Sequence, residues 1–419
     1  MNKIAGLYIH IPFCERKCTY CNFNTTDFFD VLADRYITSV VQEVNYWGQK
    51  LGGGSCIINP VNRDNNAKIF MPDNLVEPLQ HTVSNTQKFA VDTIFFGGGT
   101  PSIVEAEQIA EIIEACRRNF AVTNDAEITI EINPATLSRE KLEGWRKAGI
   151  NRASVGVQSF IDTELVSLSR THNTGQARRT VESLREAGFD NISLDLIAGL
   201  PEQTKENWQF NLREALRIRP EHLSLYLLEV KEGTQLYGQI KRGLRPQPDD
   251  DLAAEMYEMI CQATEQAGYE HYEISNFALA PASAEKRFRA QHNMKYWTDA
   301  PFYGLGCGAH SYDGRMRWVN TLKTESYIEK IADQGHAINE RRQLDDMEKA
   351  TEAIFMALRL REGIDLAAFQ ADYGLNIVQQ YGVELERVAE AGLVEITDNR
   401  LLLTARGRLL STEVFLLFV

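Results

Sequence analysis

The chain has 419 residues, 44% of them hydrophobic and 24% charged, which is ordinary globular usage and enough for two or three domains of roughly 150 residues each. Lysine and arginine total 44 against 58 aspartates and glutamates, a formal charge of −14, and that acidity argues against a partner held by a nucleic-acid phosphate backbone. No apolar run approaches the ~20 residues that cross a bilayer, and residues 1–6 show no secretory leader pattern, so the expectation is an unsecreted, cytoplasmic protein.

From the N-terminus to about residue 230, short apolar runs alternate with amphipathic helical stretches. Strands are expected at 6–11, 92–96, 127–132, 152–157, 191–197 and 222–228, each rich in aliphatic or aromatic residues. The clearest helix lies at 105–120, where Ile109, Ile112, Ile113, Cys116 and Phe120 share one face. Repeated β then α implies a parallel sheet with right-handed crossovers. Six units are fewer than a full barrel, so the expected fold class is α/β, a partial (β/α)6 barrel whose missing side other chain covers. Such barrels carry function at the C-terminal ends of their strands. There, the cysteines follow the first strand and Gly97-Gly98-Gly99-Thr100-Pro101 the second; Glu131 ends the third, Gln158 follows the fourth, and Asp195 falls in the last turn of the fifth.

The domain expectation is a partial barrel over 1–230, broken by a surface insertion at about 52–88, then an accessory region over 231–343 and a small unit over 344–419. In the accessory region, 249–267 reads as helix, 269–278 as irregular and 304–311 as a glycine-rich loop. The last unit has helical patterns at 347–360, 366–373 and 377–391, then short strands at 393–397 and 401–404 around Asp398-Asn399-Arg400. Helices followed by a hairpin resemble a winged-helix domain. Residues 345–419 carry seven basic against thirteen acidic residues, a surface for packing or partner contact rather than DNA.

Seven cysteines in a chain with a large core do not read as a disulfide framework. Cys14, Cys18 and Cys21 form C-x-x-x-C-x-x-C, while Cys56, Cys116, Cys261 and Cys307 are scattered. Three thiolates at these spacings can wrap a 4Fe-4S cubane and leave one iron open. Zinc is the competing reading, with His10 four residues before Cys14 as a fourth ligand. Cys116 reads as core, Cys261 as part of a helix, Cys56 as insertion, and Cys307, between glycines, as a small packed thiol rather than a cluster ligand.

Tyr8-Ile9-His10-Ile11-Pro12-Phe13-Cys14 with Cys18, Tyr20 and Cys21 resembles the radical S-adenosylmethionine (SAM) superfamily, in the branch around oxygen-independent coproporphyrinogen oxidase. Phe96 to Ser102, Gly156-Val157-Gln158-Ser159, Asp195 to Pro201 and Glu273 to Ala278 resemble further blocks of that branch. The resemblance implies a 4Fe-4S cluster on Cys14, Cys18 and Cys21, with SAM chelating the open iron and open to reductive cleavage to a 5′-deoxyadenosyl radical. It implies Tyr8 and Tyr20 beside SAM, and Gly98, Gly99 and Thr100 at its methionine end. Glu131 would meet ribose hydroxyls, Gln158 and Arg170 the ribose and methionine carboxylate, and Asp195 another part of the cofactor. The three glycines match neither the Rossmann nor the P-loop fingerprint.

In the oxidase a fourth cysteine stands two residues after the third; here that residue is Phe23. Cys21-Asn22-Phe23-Asn24 and His292-Asn293-Met294-Lys295-Tyr296-Trp297 instead resemble the haem-chaperone family HemW. That resemblance implies haem bound with His292 as iron ligand and Tyr296 and Trp297 as aromatic faces, with His310 and His271 as candidates for a second ligand. It implies transfer of haem to acceptor haem proteins, respiratory ones among them, with membrane partners and a dimer. The alternative is oxygen-independent coproporphyrinogen III oxidation, a radical decarboxylation in porphyrin biosynthesis. A winged-helix sensor of iron or redox state is a third class, against which the acidic C-terminal unit speaks.

Overall fold

The computed structural model describes residues 4–52, 88–280 and 288–418. Cys56 and residues 53–87 of the expected insertion lie outside the described residues. Six strands, β1 (Ala5–Ile11), β2 (Ala90–Gly98), β3 (Ala121–Ile132), β4 (Arg152–Gln158), β5 (Ile192–Ala198) and β6 (His222–Leu227), pair in parallel in chain order. Helices α1 (Asp30–Gly52), α2 (Ala106–Asn119), α3 (Arg139–Ala148), α4 (Thr174–Glu186), α5 (Lys205–Ile218) and α6 (Asp250–Gln266) follow them in turn. The architecture is the partial (β/α)6 barrel expected of the sequence.

Side chains alternate across a strand, and here the two parities have opposite chemistry. Ile94, Ile130, Val155, Leu194 and Leu225 belong to the main apolar core, together with Ile109, Ile112, Ile113 and Cys116 of α2. The other parity gives Tyr8, Glu131, Arg152, Ser154, Asp195, Ser224 and Tyr226, which line a cavity inside the barrel. A barrel interior is ordinarily packed by branched aliphatics. A polar lining holds space for a polar ligand.

The sheet does not stop at β6, and two sequence expectations are corrected here. Residues 269–278, expected to be irregular, form the hairpin β7 (Tyr269–Glu273) and β8 (Asn276–Leu279), which pairs antiparallel with β6. Tyr269, Tyr272 and Phe277 are buried on the sheet, and the polar residues between them hid that pattern. The expected loop at 304–311 is the end of β9 (Phe302–Leu305), a tight turn and the start of β10 (His310–Tyr312). Gly306 and Gly308 turn the chain with φ of +103° and +69°, which side-chain-bearing residues avoid. With β11 (Met316–Asn320) and β12 (Ile338–Gln343), the order becomes β12-β11-β10-β9-β1-β2-β3-β4-β5-β6-β8-β7. Strands therefore extend both flanks of the six-strand unit.

Helix α7 (Gln291–Trp297) closes the barrel end opposite the cysteines. Its Lys295 Nζ donates to Ile4 O at 2.8 Å and pairs with Asp92 at 2.5 Å, the residue before β1 and the third residue of β2. After α8 (Thr324–Gln334) the chain builds a second core from α9 (Asp346–Leu358), β13 (Ile364–Asp365), α10 (Leu366–Tyr373), α11 (Ile377–Glu390), β14 (Val394–Ile396) and β15 (Arg400–Leu403). Its three strands order as β13-β15-β14, the helices-then-wing pattern expected. No helix among the described residues is long and apolar enough to cross a membrane.

Candidate functional site

The three clustered thiols are free and half-buried at the C-terminal rim of the barrel. Cys14 Sγ lies 3.5 Å from Thr100 Oγ1 in the loop after β2, and Cys18 Sγ lies 3.4 Å from Arg170 Nη1. Arg170 also donates from Nη2 to Gly156 O at 2.9 Å, while its Nε is buried without a hydrogen-bond partner. It is thus no solvated surface charge but a cation set against sulfur. Burial pushes the Cys14 thiol up to about 11 and raises Cys21 as well. Among the described residues no three His, Cys, Asp or Glu side chains converge on a single metal ion. A cubane takes one thiolate per iron and needs no such convergence.

His10, the fourth ligand of the zinc reading, is committed elsewhere. Its Nε2 is 2.9 Å from Asn24 O, a carbonyl that only accepts, so Nε2 carries the proton and Nδ1 accepts from Tyr8 Oη at 3.2 Å. Burial lowers its pKa to about 4. The thiols and Arg170 fit a three-cysteine iron–sulfur cluster better than a Cys3His zinc site.

Thr100, Gly98 and Gly99 sit beside the cysteine loop, and the glycines have a tertiary reason. A Cβ on Gly98, whose φ is +116°, would lie 2.6 Å from the His10 ring, and one on Gly99 would meet the Pro12 and Phe13 carbonyl oxygens at 2.6 and 2.7 Å. Their amides are also engaged: Gly98 N donates to Glu131 Oε2 at 3.1 Å and Gly99 N to Ile11 O at 2.8 Å. Gln158 is the last residue of β4 rather than the residue after it, with φ of +66°. Asp195 is mid-strand in β5, not in its last turn, and accepts from Ser154 Oγ at 3.2 Å. Tyr20 lies beside Cys18, and burial raises its pKa.

The barrel cavity, about 210 Å³, brings together Tyr8, Glu131, Asp195, His292 and Tyr296. Burial, then the nearby Asp195 charge, pushes Glu131 up to about 8, and burial raises Asp195. Arg152, only 2% exposed, lines the same cavity and draws both carboxyls back down. Arg152, Ser154, Ser224, Tyr226 and Phe95 were not singled out from the sequence. Their signal was the polar parity of strands expected to be apolar, as in Arg152, Ser154, Gly156 and Gln158.

His292 reaches this cavity from α7. It is 1% exposed, with Nδ1 2.8 Å from Thr93 Oγ1 and Nε2 3.0 Å from Tyr296 Oη, and burial lowers its pKa to about 3. A neutral imidazole is the metal-binding form. Trp297 does not line this cavity; it packs under the Arg359 guanidinium at 4.4 Å. His310 is exposed, and His271 is buried against the Phe277 ring with centroids 4.3 Å apart, so neither lies in the cavity. Cys116 is core; Cys307 is buried within 3.6 Å of Tyr36 Oη, and Cys261 is half-buried on α6.

A three-cysteine loop at the rim of a partial barrel with a polar interior is the arrangement of a radical SAM protein. The Radical SAM superfamily model matches residues 8–214 and the HemN C-terminal domain model residues 344–410. The chain is 34% identical to the heme chaperone HemW of Bacillus subtilis over 413 residues, 98% of each chain. It is 31% identical to HemW of Escherichia coli, over 99% of this chain and 98% of that one. The bovine mitochondrial radical S-adenosyl methionine domain-containing protein 1 is 32% identical over 94% of this chain and 83% of its own. Among solved structures, the Escherichia coli coproporphyrinogen III oxidase HemN shares the fold with a TM-score of 0.80 at 23% identity, covering 100% of this chain and 90% of that one. The chain belongs to the HemW family of the radical SAM superfamily.

Proposed function

We propose that this protein carries a SAM-ligated 4Fe-4S cluster, binds haem, and passes it to acceptor haem proteins. The observation that carries the reading is the single cavity that runs from Tyr8, Glu131 and Asp195 to His292 and Tyr296. The names of the full-length relatives support it. In this reading residues 1–230 hold the cluster and SAM, 231–343 carry the haem motif, and 344–419 meet a partner. The protein works in the cytoplasm, as a dimer or against membrane-bound acceptors.

Cys14, Cys18 and Cys21 hold the cluster. Together with SAM it supplies one-electron reductive cleavage of the sulfonium. Gly98, Gly99 and Thr100 receive the methionine end, Tyr8 and Tyr20 flank the cofactor, and Gln158 and Arg170 take its ribose and carboxylate. Glu131 meets ribose hydroxyls, Asp195 meets another part of the cofactor, and Arg152 beside them favours their charged forms. His292 offers its neutral imidazole to haem iron and Tyr296 its ring face, while Trp297, outside this cavity, offers a ring face on the other side of Tyr296.

The test is anaerobic reconstitution followed by haem titration. The expected result is a Soret band in the wild type, and at least tenfold weaker binding in His292→Ala with the cluster's absorbance intact. Equal affinity in the two proteins sinks the role of His292. The second reading, coproporphyrinogen oxidation, rests on the shared fold, while Phe23, 61% exposed, stands where the oxidase has a cysteine. Porphyrinogen product formed with SAM, dithionite and substrate would establish it and displace a carrier-only role.

A further inference from the structure

A second cavity, about 230 Å³, lies between α7 and the C-terminal unit, and Tyr296 borders both cavities. Trp297, Phe302, Tyr312 and Met356 line it, with Ala300 and Ala353 as its small walls. Its charged neighbours are turned to partners: Arg317 to Glu352 at 2.5 Å, Lys295 to Asp92 at 2.5 Å, and Asp299 to Tyr373 Oη at 2.8 Å. What remains is a slot of ring faces.

Neither cavity reaches the ~300 Å³ at which ligand pockets begin, whereas the two together pass it. Tyr296 is the residue the two linings share, its hydroxyl 3.0 Å from His292 Nε2 and its ring edge-on to Phe302 with centroids 4.7 Å apart. We propose that the second cavity is a compartment for the apolar rim of a planar tetrapyrrole, and that Tyr296 is the movable partition between it and the barrel. The inference rests on the haem reading above. Swinging Tyr296 aside joins the two spaces and releases His292 Nε2 in the same motion, so room and metal ligand arise together. One neutral hydrogen bond and edge-on ring contacts with His292, Trp297 and Phe302 hold the closed state, a bias on the order of ten- to a hundredfold in population that a bound ligand can overcome.

The test titrates hemin and metal-free protoporphyrin into the full reconstituted chain. Ala353→Met and Ala300→Met fill the second cavity from opposite walls, so a folding failure in one leaves the other to decide. Each folded variant should bind both porphyrins at least tenfold more weakly with SAM affinity unchanged; wild-type affinity for both overturns the proposal. Tyr296→Phe removes the bond that holds the partition and frees Nε2, so it should tighten both porphyrins, hemin by several-fold more than the metal-free one; weaker hemin binding counts against the partition. If the wild type takes neither porphyrin, the haem reading fails, and the cavity is judged separately with benzene, which binds dry apolar cavities. In protein labelled with 3-fluorotyrosine, a benzene-induced shift of the Tyr296 resonance that Ala353→Met abolishes supports the compartment. No shift up to the solubility limit of benzene overturns it.

Discussion

His10 joins three segments through one imidazole: its ring bonds Tyr8 Oη and Asn24 O, and its edge packs where a Gly98 side chain would be. Gly99 is constrained more severely, because an added methyl meets backbone carbonyls that cannot rotate away. Gly99→Ala is expected to cost about 1–3 kcal/mol, the usual range for overpacking, read as a lower urea midpoint with lower cluster occupancy. An unchanged midpoint would show that the cysteine loop yields easily. The thiol spacing and the glycine run were legible in the sequence because their chemistry is local. Arg152 was not, since an arginine opening a strand reads as a solvated end until neighbouring strands enclose it. The same enclosure placed Trp297 outside the cavity that His292 and Tyr296 line.

Among elements, α1 is tied to the added strands by one buried carboxyl. Glu43 Oε2 accepts from Gly306 N at 2.8 Å and Tyr327 Oη at 2.7 Å, and Oε1 accepts from Asn320 Nδ2 at 2.8 Å. Burial raises its pKa from 4.5 to about 7. A raised carboxyl pKa means that the fold binds the proton more tightly than the unfolded chain. Its contribution is therefore complete below 4.5 and is lost as pH rises through about 7. The wild type should lose on the order of 3 kcal/mol across that window from this group. Glu43→Gln should lack that component of the slope while being less stable throughout, because an amide cannot accept from all three donors. Denaturant midpoints measured from pH 4 to 8 check this, and identical slopes in both proteins would refute it. The helices of the barrel were readable from periodicity, whereas the strands after residue 268 were not, because they are short and interleave polar residues with buried ones.

Across the whole molecule, the C-terminal unit docks through ion pairs: Arg317 with Glu352 at 2.5 Å, Arg315 with Asp346 at 3.3 Å, Arg359 with Glu273 at 3.7 Å and Lys349 with Asp299 at 3.8 Å. The Arg315–Asp346 pair is exposed and the other three are partly shielded. Raising ionic strength from 0.1 to 1 M shortens the screening length from about 10 to about 3 Å. Amide exchange in α9 should then accelerate several-fold while α2, held by apolar contacts, stays unchanged. Equal responses in α2 and α9 would mean that apolar packing, not charge, holds the unit. Glu352 and Asp346 of the acidic C-terminal unit are thus answered by Arg317 and Arg315, while its own Arg359 and Lys349 answer Glu273 and Asp299.

The sequence alone determined the α/β class, the order of the six βα units, the three-thiol loop and the helices-then-wing tail. Each of these is written in short-range spacing: period two, period 3.6, or a fixed count between cysteines. Tertiary structure decided that strands from residues 269–343 extend both flanks, that α7 closes the barrel end opposite the cysteines, and that one polar parity of the strands makes a cavity. It also decided that Tyr296 borders both that cavity and a second one. These features depend on residues hundreds of positions apart meeting face to face, and no local pattern in the chain records which faces meet.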